Sequence, residues 1–453
     1  MPDAAPRATA PRAAAPRTPP LVASPAAGGG PRLVRTMGRW SLTANIVNAV
    51  VGSAIFGMPA AVAALTGAWS PAAVVLAGLG IFPVVLCFAE VGSRFEAAGG
   101  PYLYAREAFG DGVGFAVGWI MLWTRLLSGA AVLNVMVTYL AQLVPWVGTG
   151  AGRAATMGVA VTLVTAINVR GVRQAAWTVN LFTVAKLLPL FLLMALGAVS
   201  LDRDVLQAQA VAAPDWTEAV LLLMFAYGGF ESAVSAAGET RRPREDTAFA
   251  LIAALLLILV VYGGVQLAVV GLLPDAAHAA APVAAALATV LGPVGLAIGS
   301  LAAVVSTYGW LTGFALLVPR VPFAMAERGE IPRPFGLVHA RFRTPYVSIV
   351  ACSVLILGMG LWGTFTFTAT LSAIARLVVY AVTCAALVPL RRRGPPAGWT
   401  LPAGPLVAVV GIGFTTWLLS TRSLAQSWIV GAIIAVGLLV RVAVRPRAAA
   451  PPA

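Results

Sequence analysis

The chain has 453 residues, of which 60% are hydrophobic and 10% charged, with a mean hydropathy of +0.90. That balance excludes a water-soluble globular domain and points to an all-α polytopic membrane protein. The net charge of +14 would suit a nucleic-acid binder, but the basic residues are placed by topology, and no nucleic-acid partner is expected.

Residues 1–36, rich in Pro, Ala, Arg and Gly, read as a disordered cytoplasmic tail without the apolar core of a cleaved signal peptide. Apolar runs of the roughly 17–25 residues that cross a bilayer then recur. Twelve are predicted: 40–64, 70–93, 113–145, 154–169, 175–198, 216–237, 247–273, 292–319, 345–361, 366–390, 401–420 and 425–443. They are helices, because a lone strand leaves its backbone unsatisfied in lipid. The run 113–145 is longer than a bilayer requires, which predicts tilt or extension beyond it. "PDAAHAAAPVAAALATVLG", starting at Pro274, predicts a surface helix on the outer side, and 95–112 and 321–345 are the substantial inner loops. Residues 37–444 form one membrane domain, and 445–453 a second cytoplasmic tail.

With the N-terminus inside, 24 of the 30 Lys and Arg fall in cytoplasmic segments. Only Arg153, Arg203 and Arg422 fall outside, while Arg125, Lys186 and Arg376 lie within spans. This asymmetry supports twelve crossings with both termini cytoplasmic. Cys87, Cys352 and Cys384 all lie in spans, which fits packing rather than a disulfide framework. His278 and His339 lie in loops on opposite sides, and the sequence carries no HExxH or His/Cys metal pattern and no GxxxxGK[ST] loop. No metal, cofactor or enzymatic activity is expected.

"NAVVGSAIFGMPAAV" (48–62) puts Gly52, Ser53, Gly57 and Pro59 into a helix that should be continuous. Alone it would signal close helix packing. "MFAYGGFESAVSAAGE" (224–239) repeats the interruption, with Gly228 and Gly229 in mid-span and Glu231 just beyond. The two breaks occupy matching places in five-helix blocks of opposite direction, about 40–198 and 216–390, which is the pattern of an inverted repeat followed by two further helices at 401–443. Unwound helix presents N–H groups to an anion and carbonyls to a cation, so a compound bearing carboxylate and ammonium, an amino acid, suits the site.

The stretches "GSAIFGMP", "FAEVGSRFEAAGGPYLYAREAFG", "FAYGGFESA", "GETRRPRED" and "LSAIARLVVYAVTCAALVPLRRR" resemble the amino acid/polyamine/organocation (APC) superfamily of permeases, which has a leucine-transporter-type fold, over about 40–390. The resemblance implies secondary active transport of an amino acid by alternating access. It implies that backbone N–H groups at Gly52, Ser53 and Ala54, with Ile55 beside them, bind the α-carboxylate. Ala54 stands where the family has glycine, and its methyl narrows the approach. The α-amino group is expected at the carbonyls of Val50, Phe225 and Gly228. Phe225 and Trp310 match aromatic gates, although from composition alone they read as core aromatics. Glu231 matches part of an inner gate, with a bond to backbone or to Ser232 or Ser235 as the alternative.

Lys186 is the only lysine in the chain and lies in mid-span. Unlike arginine, a buried ammonium can give up its proton. In sodium-independent relatives a lysine here stands where sodium sits in others, touching helix one and a helix-eight hydroxyl, which would be Ser306 or Thr307. This implies proton-linked rather than sodium-linked transport, against a permanently charged structural tie. Arg125 and Arg376 are expected to snorkel or to pair with Glu90 or Glu231 rather than to meet the substrate. Beyond Glu231 the spans carry no mid-span acid that would suit a cationic cargo, and the aromatic and aliphatic neighbours fit a neutral, apolar side chain. Beyond the substrate, protons and lipid are the expected partners, with a monomer or homodimer in a bacterial plasma membrane. An exchanger or exporter, or a non-transporting sensor on the same scaffold, are the rival readings.

Overall fold

A computed structural model describes residues 37–95, 99–171, 176–209, 211–231 and 240–444. Among them every regular element is helical, and the only extended pairing is an isolated bridge between Met37 and Thr240. Seven helical stretches are long and apolar enough to cross a membrane. The stretches Ala185–Ser200, Trp216–Ala226, Tyr346–Trp362 and Gly404–Ser420 are apolar but shorter, so a count of twelve crossings goes beyond what helix length and composition establish.

The first predicted span is two helices, α1 (Arg39–Val50) and α2 (Ala54–Thr66). Val51 leaves the helical region with ψ 80°, and the Gly52 N–H turns back to the Val50 carbonyl at 2.8 Å. The Ser53 carbonyl then accepts from the Phe56 and Gly57 N–H groups and starts α2. Next come α3 (Ser70–Gly92), α4 (Pro101–Phe109) in the first inner loop, and α5 (Asp111–Ala141). At 1.5 Å per residue, α5 is roughly 46 Å long, well beyond roughly 30 Å of hydrocarbon, in keeping with the excess length of its sequence run. Helices α6 (Gly150–Val169), α7 (Ala176–Ser200) and α8 (Arg203–Ala208) follow.

Helix α9 (Trp216–Ala226) ends in a turn over Tyr227–Gly229, where the Gly228 N–H bonds the Phe225 carbonyl at 3.2 Å. Gly229 sits at φ +120°, a conformation only glycine adopts without strain, and its α-carbon faces the Ala49 carbonyl. The two interrupted helices therefore meet backbone to backbone. Ser232 and Ser235, the alternative partners of Glu231, lie outside the described residues.

Beyond α10 (Pro243–Leu272), α11 (Pro282–Leu317) is bent at Gly292, with φ +59°. The expected surface helix is thus the outer arm of α11, but it is not a surface element. Val283, Ala284, Ala286 and Leu287 are fully buried, and Gly299 on the inner arm comes so close that a β-carbon there would lie 2.5 Å from the Ala284 Cα. Small residues on both arms allow the fold-back, which alanine-rich composition does not announce as burial. The chain ends with α12 (Arg320–Glu327), α13 (Tyr346–Trp362), α14 (Phe365–Arg393), α15 (Gly404–Ser420) and α16 (Leu424–Val444).

Tyr139 of α5 ties three of these elements together: its hydroxyl donates to the Phe56 carbonyl at 2.8 Å and accepts the Val283 N–H at 3.2 Å. Both bonds are buried, so Tyr139→Phe leaves the Val283 N–H, in the first turn of α11, without a partner, at about 1–3 kcal/mol, and removes the second bond of the Phe56 carbonyl. The expected result is a lower unfolding temperature in detergent, read by loss of helical circular dichroism, with the fold otherwise intact.

Candidate functional site

The breaks in α1–α2 and after α9 open onto a cavity of about 260 Å³. It is lined by Val50, Gly52, Ser53 and Ala54 from the first break, Phe225, Gly228, Gly229 and Glu231 from the second, Lys186 from α7, and Ser306 and Trp310 from α11. Ile55, expected beside the carboxylate, is fully buried in the core and does not line it. Ser53 and Ala54 stand at the start of α2, where a helix leaves its first N–H groups without intrahelical partners, and both residues line the cavity.

Lys186 spans the first break. Its Nζ donates to the Asn48 carbonyl at 2.9 Å and to the Val51 carbonyl at 2.6 Å, replacing the helical N–H donors that the turn removes. Among the described residues, the expected contact with a hydroxyl of the eighth predicted span, which lies in α11, is not made. Among the described residues the Ser306 Oγ has no partner, and Thr307 bonds back to the Ala303 and Val304 carbonyls of its own helix. The Val50 carbonyl, one expected acceptor for the α-amino group, already accepts from Gly52 N–H and from the Tyr262 hydroxyl at 3.2 Å.

Trp310 stacks on Phe314, with ring centroids 4.1 Å apart, and its indole edge lies where a β-carbon on Gly52 would be 3.1 Å away. The aromatic expected to gate the site thus rests directly on the first break. At the other end of the cavity Phe225 packs edge-on against Phe365 at 6.1 Å.

Glu231 is held from three sides: Arg376 Nη1 lies 2.8 Å from its Oε1, and its Oε2 accepts from the Gly229 N–H at 2.9 Å and the Tyr380 hydroxyl at 3.2 Å. Of the two acids considered for the intramembrane arginines, Glu231 is therefore the one that pairs with Arg376. Glu90 is engaged by Arg94 and Arg391. The Arg376 guanidinium does not snorkel; it lies on the unwound turn, where a β-carbon on Gly228 would overlap it. Gly228→Ala should displace that guanidinium and break its ion pair with Glu231. The expected outcome is at least a tenfold fall in transport rate with normal membrane insertion, measured in proteoliposomes.

Arg125, Ser128, Asn45 and Asn48 also line the cavity. A signal for part of this was available: Arg125 with Ser128, and Ser372 with Arg376, stand three and four residues apart and so share a helix face. The Ser128 and Ser372 hydroxyls bond each other at 2.9 Å across the α5–α14 contact.

Apolar helices broken at two facing points around one cavity that holds charged side chains form the build of a membrane permease. The chain belongs to the amino acid permease family of the APC superfamily: the family model, described as amino acid permease, matches residues 37–444. It is 27% identical over 406 residues to the serine/threonine exchanger SteT of Bacillus subtilis (strain 168), covering 87% of this chain and 92% of that protein. It is 27% identical to the methylthioribose transporter of the same organism, covering 90% and 93% of the two chains. The branched-chain amino acid permease BcaP, also from that organism, is 24% identical, with 87% and 89% covered.

Proposed function

We propose that the chain is a secondary active transporter that carries an amino acid across the plasma membrane by alternating access, with twelve crossings, two inverted five-helix repeats and both termini cytoplasmic. The observation that carries this reading is the pair of interrupted helices meeting at Gly229 and Ala49 around one cavity. Gly52, Ser53 and Ala54 take the α-carboxylate on their backbone N–H groups, and Val50, Phe225 and Gly228 lie around the α-amino group. Phe225, Trp310 and Glu231 act as gates. The cavity lining extends along α1 to Asn45 and along α11 to the half-exposed Leu317, both toward the end assigned to the cytoplasm, which supports an inward-facing state. At the opposite end the Phe225–Phe365 contact and the Tyr139 bonds supply the closure.

Coupling to protons rather than sodium rests on Lys186, whose ammonium occupies the carbonyls that a cation would otherwise take. The expectation of a neutral, apolar cargo fits the Val132, Phe225 and Trp310 part of the wall, but not the two guanidiniums that share the cavity. The name of the serine/threonine exchanger favours a second reading, obligate exchange. Purified protein in liposomes separates the readings: net uptake driven by a proton gradient supports symport, and counterflow without net uptake supports exchange. If none of the twenty amino acids stabilises the protein in a thermal-shift screen or enters loaded liposomes, the amino acid reading falls.

A further inference from the structure

We propose that the transported amino acid carries an acidic side chain, whose carboxylate is received by Arg125 of α5 and Arg376 of α14. This rests on the reading of the cavity as an amino acid site and names the class of amino acid. The first argument is charge balance. Among the described residues lining the cavity there are three cations, Arg125, Lys186 and Arg376, and one anion, Glu231. The surplus is two positive charges with Lys186 protonated and one with it neutral. In a site walled by low-dielectric protein and lipid such a surplus is unfavourable unless a ligand offsets it. A neutral amino acid is a zwitterion and offsets nothing, whereas a dicarboxylic one brings one negative charge.

The second argument is where the charges sit. Arg376 is held at the unwound turn of the second break, beside the backbone expected to meet the amino group, with its Nη2 3.4 Å from the Ser128 Oγ. Arg125 stands one helical turn before Ser128 on the same helix and lines the same wall, and with Arg376 and Glu231 it also borders a smaller adjoining crevice at Met121, Thr124 and Val379. Two guanidiniums on facing helices offer a carboxylate the planar donor pairs that suit it. Glu231 does not turn the site into one for a cationic side chain, because both its oxygens are already committed to Arg376, Gly229 and Tyr380.

The test is competition for uptake in proteoliposomes, with L-glutamate and L-aspartate set against their near-isosteric amides L-glutamine and L-asparagine, and against L-leucine. In the wild type one acidic amino acid should compete at least tenfold better than its amide. Arg125→Gln should reduce that preference at least tenfold, and Arg125→Lys, which keeps the charge, should retain part of it. Equal or better competition by the amides or L-leucine overturns the inference and leaves amino acid transport standing, as does a preference that Arg125→Gln leaves unchanged. If no amino acid competes or is carried, both this inference and the amino acid reading fall. Should Arg125→Gln fail to fold, the wild-type ratio and the Arg125→Lys variant still decide.

Discussion

Lys186→Met in proteoliposomes is expected to lower initial uptake by more than tenfold and to remove the dependence of any residual uptake on pH. The geometry gives the reason. In an unbroken helix the Asn48 and Val51 carbonyls would accept N–H groups four residues on, but the turn at Val51–Ser53 directs the Gly52 N–H to Val50 instead. The ammonium supplies the missing donors at 2.9 and 2.6 Å. Methionine matches the stem in length and offers no donor, so two inward-facing carbonyls lose their partner at about 1–3 kcal/mol each. The cheapest relief is for the break to tighten back toward helix, which withdraws the backbone N–H groups proposed to meet the substrate. Lys186→Arg separates a structural tie from a proton carrier: it keeps donors and charge but does not release a proton at any working pH. Uptake that is restored in Lys186→Arg yet flat with pH supports the proton role. Full pH-dependent uptake in Lys186→Met would remove that role altogether.

Much of this arrangement is legible in the sequence, and the unread part has a common physical cause. Both helix breaks are announced by Gly and Ser inside apolar runs, and the lysine by its solitude among 29 arginines, because these features break local rules. Helical phase is a weaker signal in membrane segments, where lipid-facing and core-facing residues are equally apolar. Arg125 and Arg376 are therefore visible as charges within spans, and apart from the serine that shares a helix face with each, nothing in a run of Leu, Ala and Val says which way they point. The structure turns both into the cavity, beside the aromatic and aliphatic residues from which a neutral cargo is expected. The outer arm of α11 shows the same limit. Its alanines look like a surface helix until the facing glycines bring the two arms into contact.

The other large effect is expected far from the cavity, at Glu90. This carboxylate is fully buried at the end of α3, and each oxygen has two partners. Oε1 accepts from Arg94 at 2.6 Å and from Arg391 Nε at 2.8 Å, and Oε2 from Arg391 Nη2 and the Leu401 N–H at 2.9 Å. The same arginines fasten the segment that leads from α14 into α15: Arg94 donates to the Pro395 carbonyl at 2.9 Å and Arg391 to the Leu401 carbonyl at 2.6 Å. Glu90→Gln keeps the shape and removes the charge, leaving two guanidiniums beside an amide that still offers one acceptor. Breaking a buried ion pair from one side is unfavourable by about 3–5 kcal/mol, and here one carboxylate serves two cations. We expect sharply reduced yield and a much shorter half-life in detergent, because the segment joining α14 to α15 loses the carboxylate that holds both of its arginine anchors. Glu90 does not line the cavity, so the KM of whatever protein survives should equal that of the wild type. Glu90→Gln combined with Arg391→Leu removes one of the stranded charges and should recover part of the half-life. Wild-type half-life in Glu90→Gln, or an altered substrate preference, would show that the cluster is not the anchor its geometry describes.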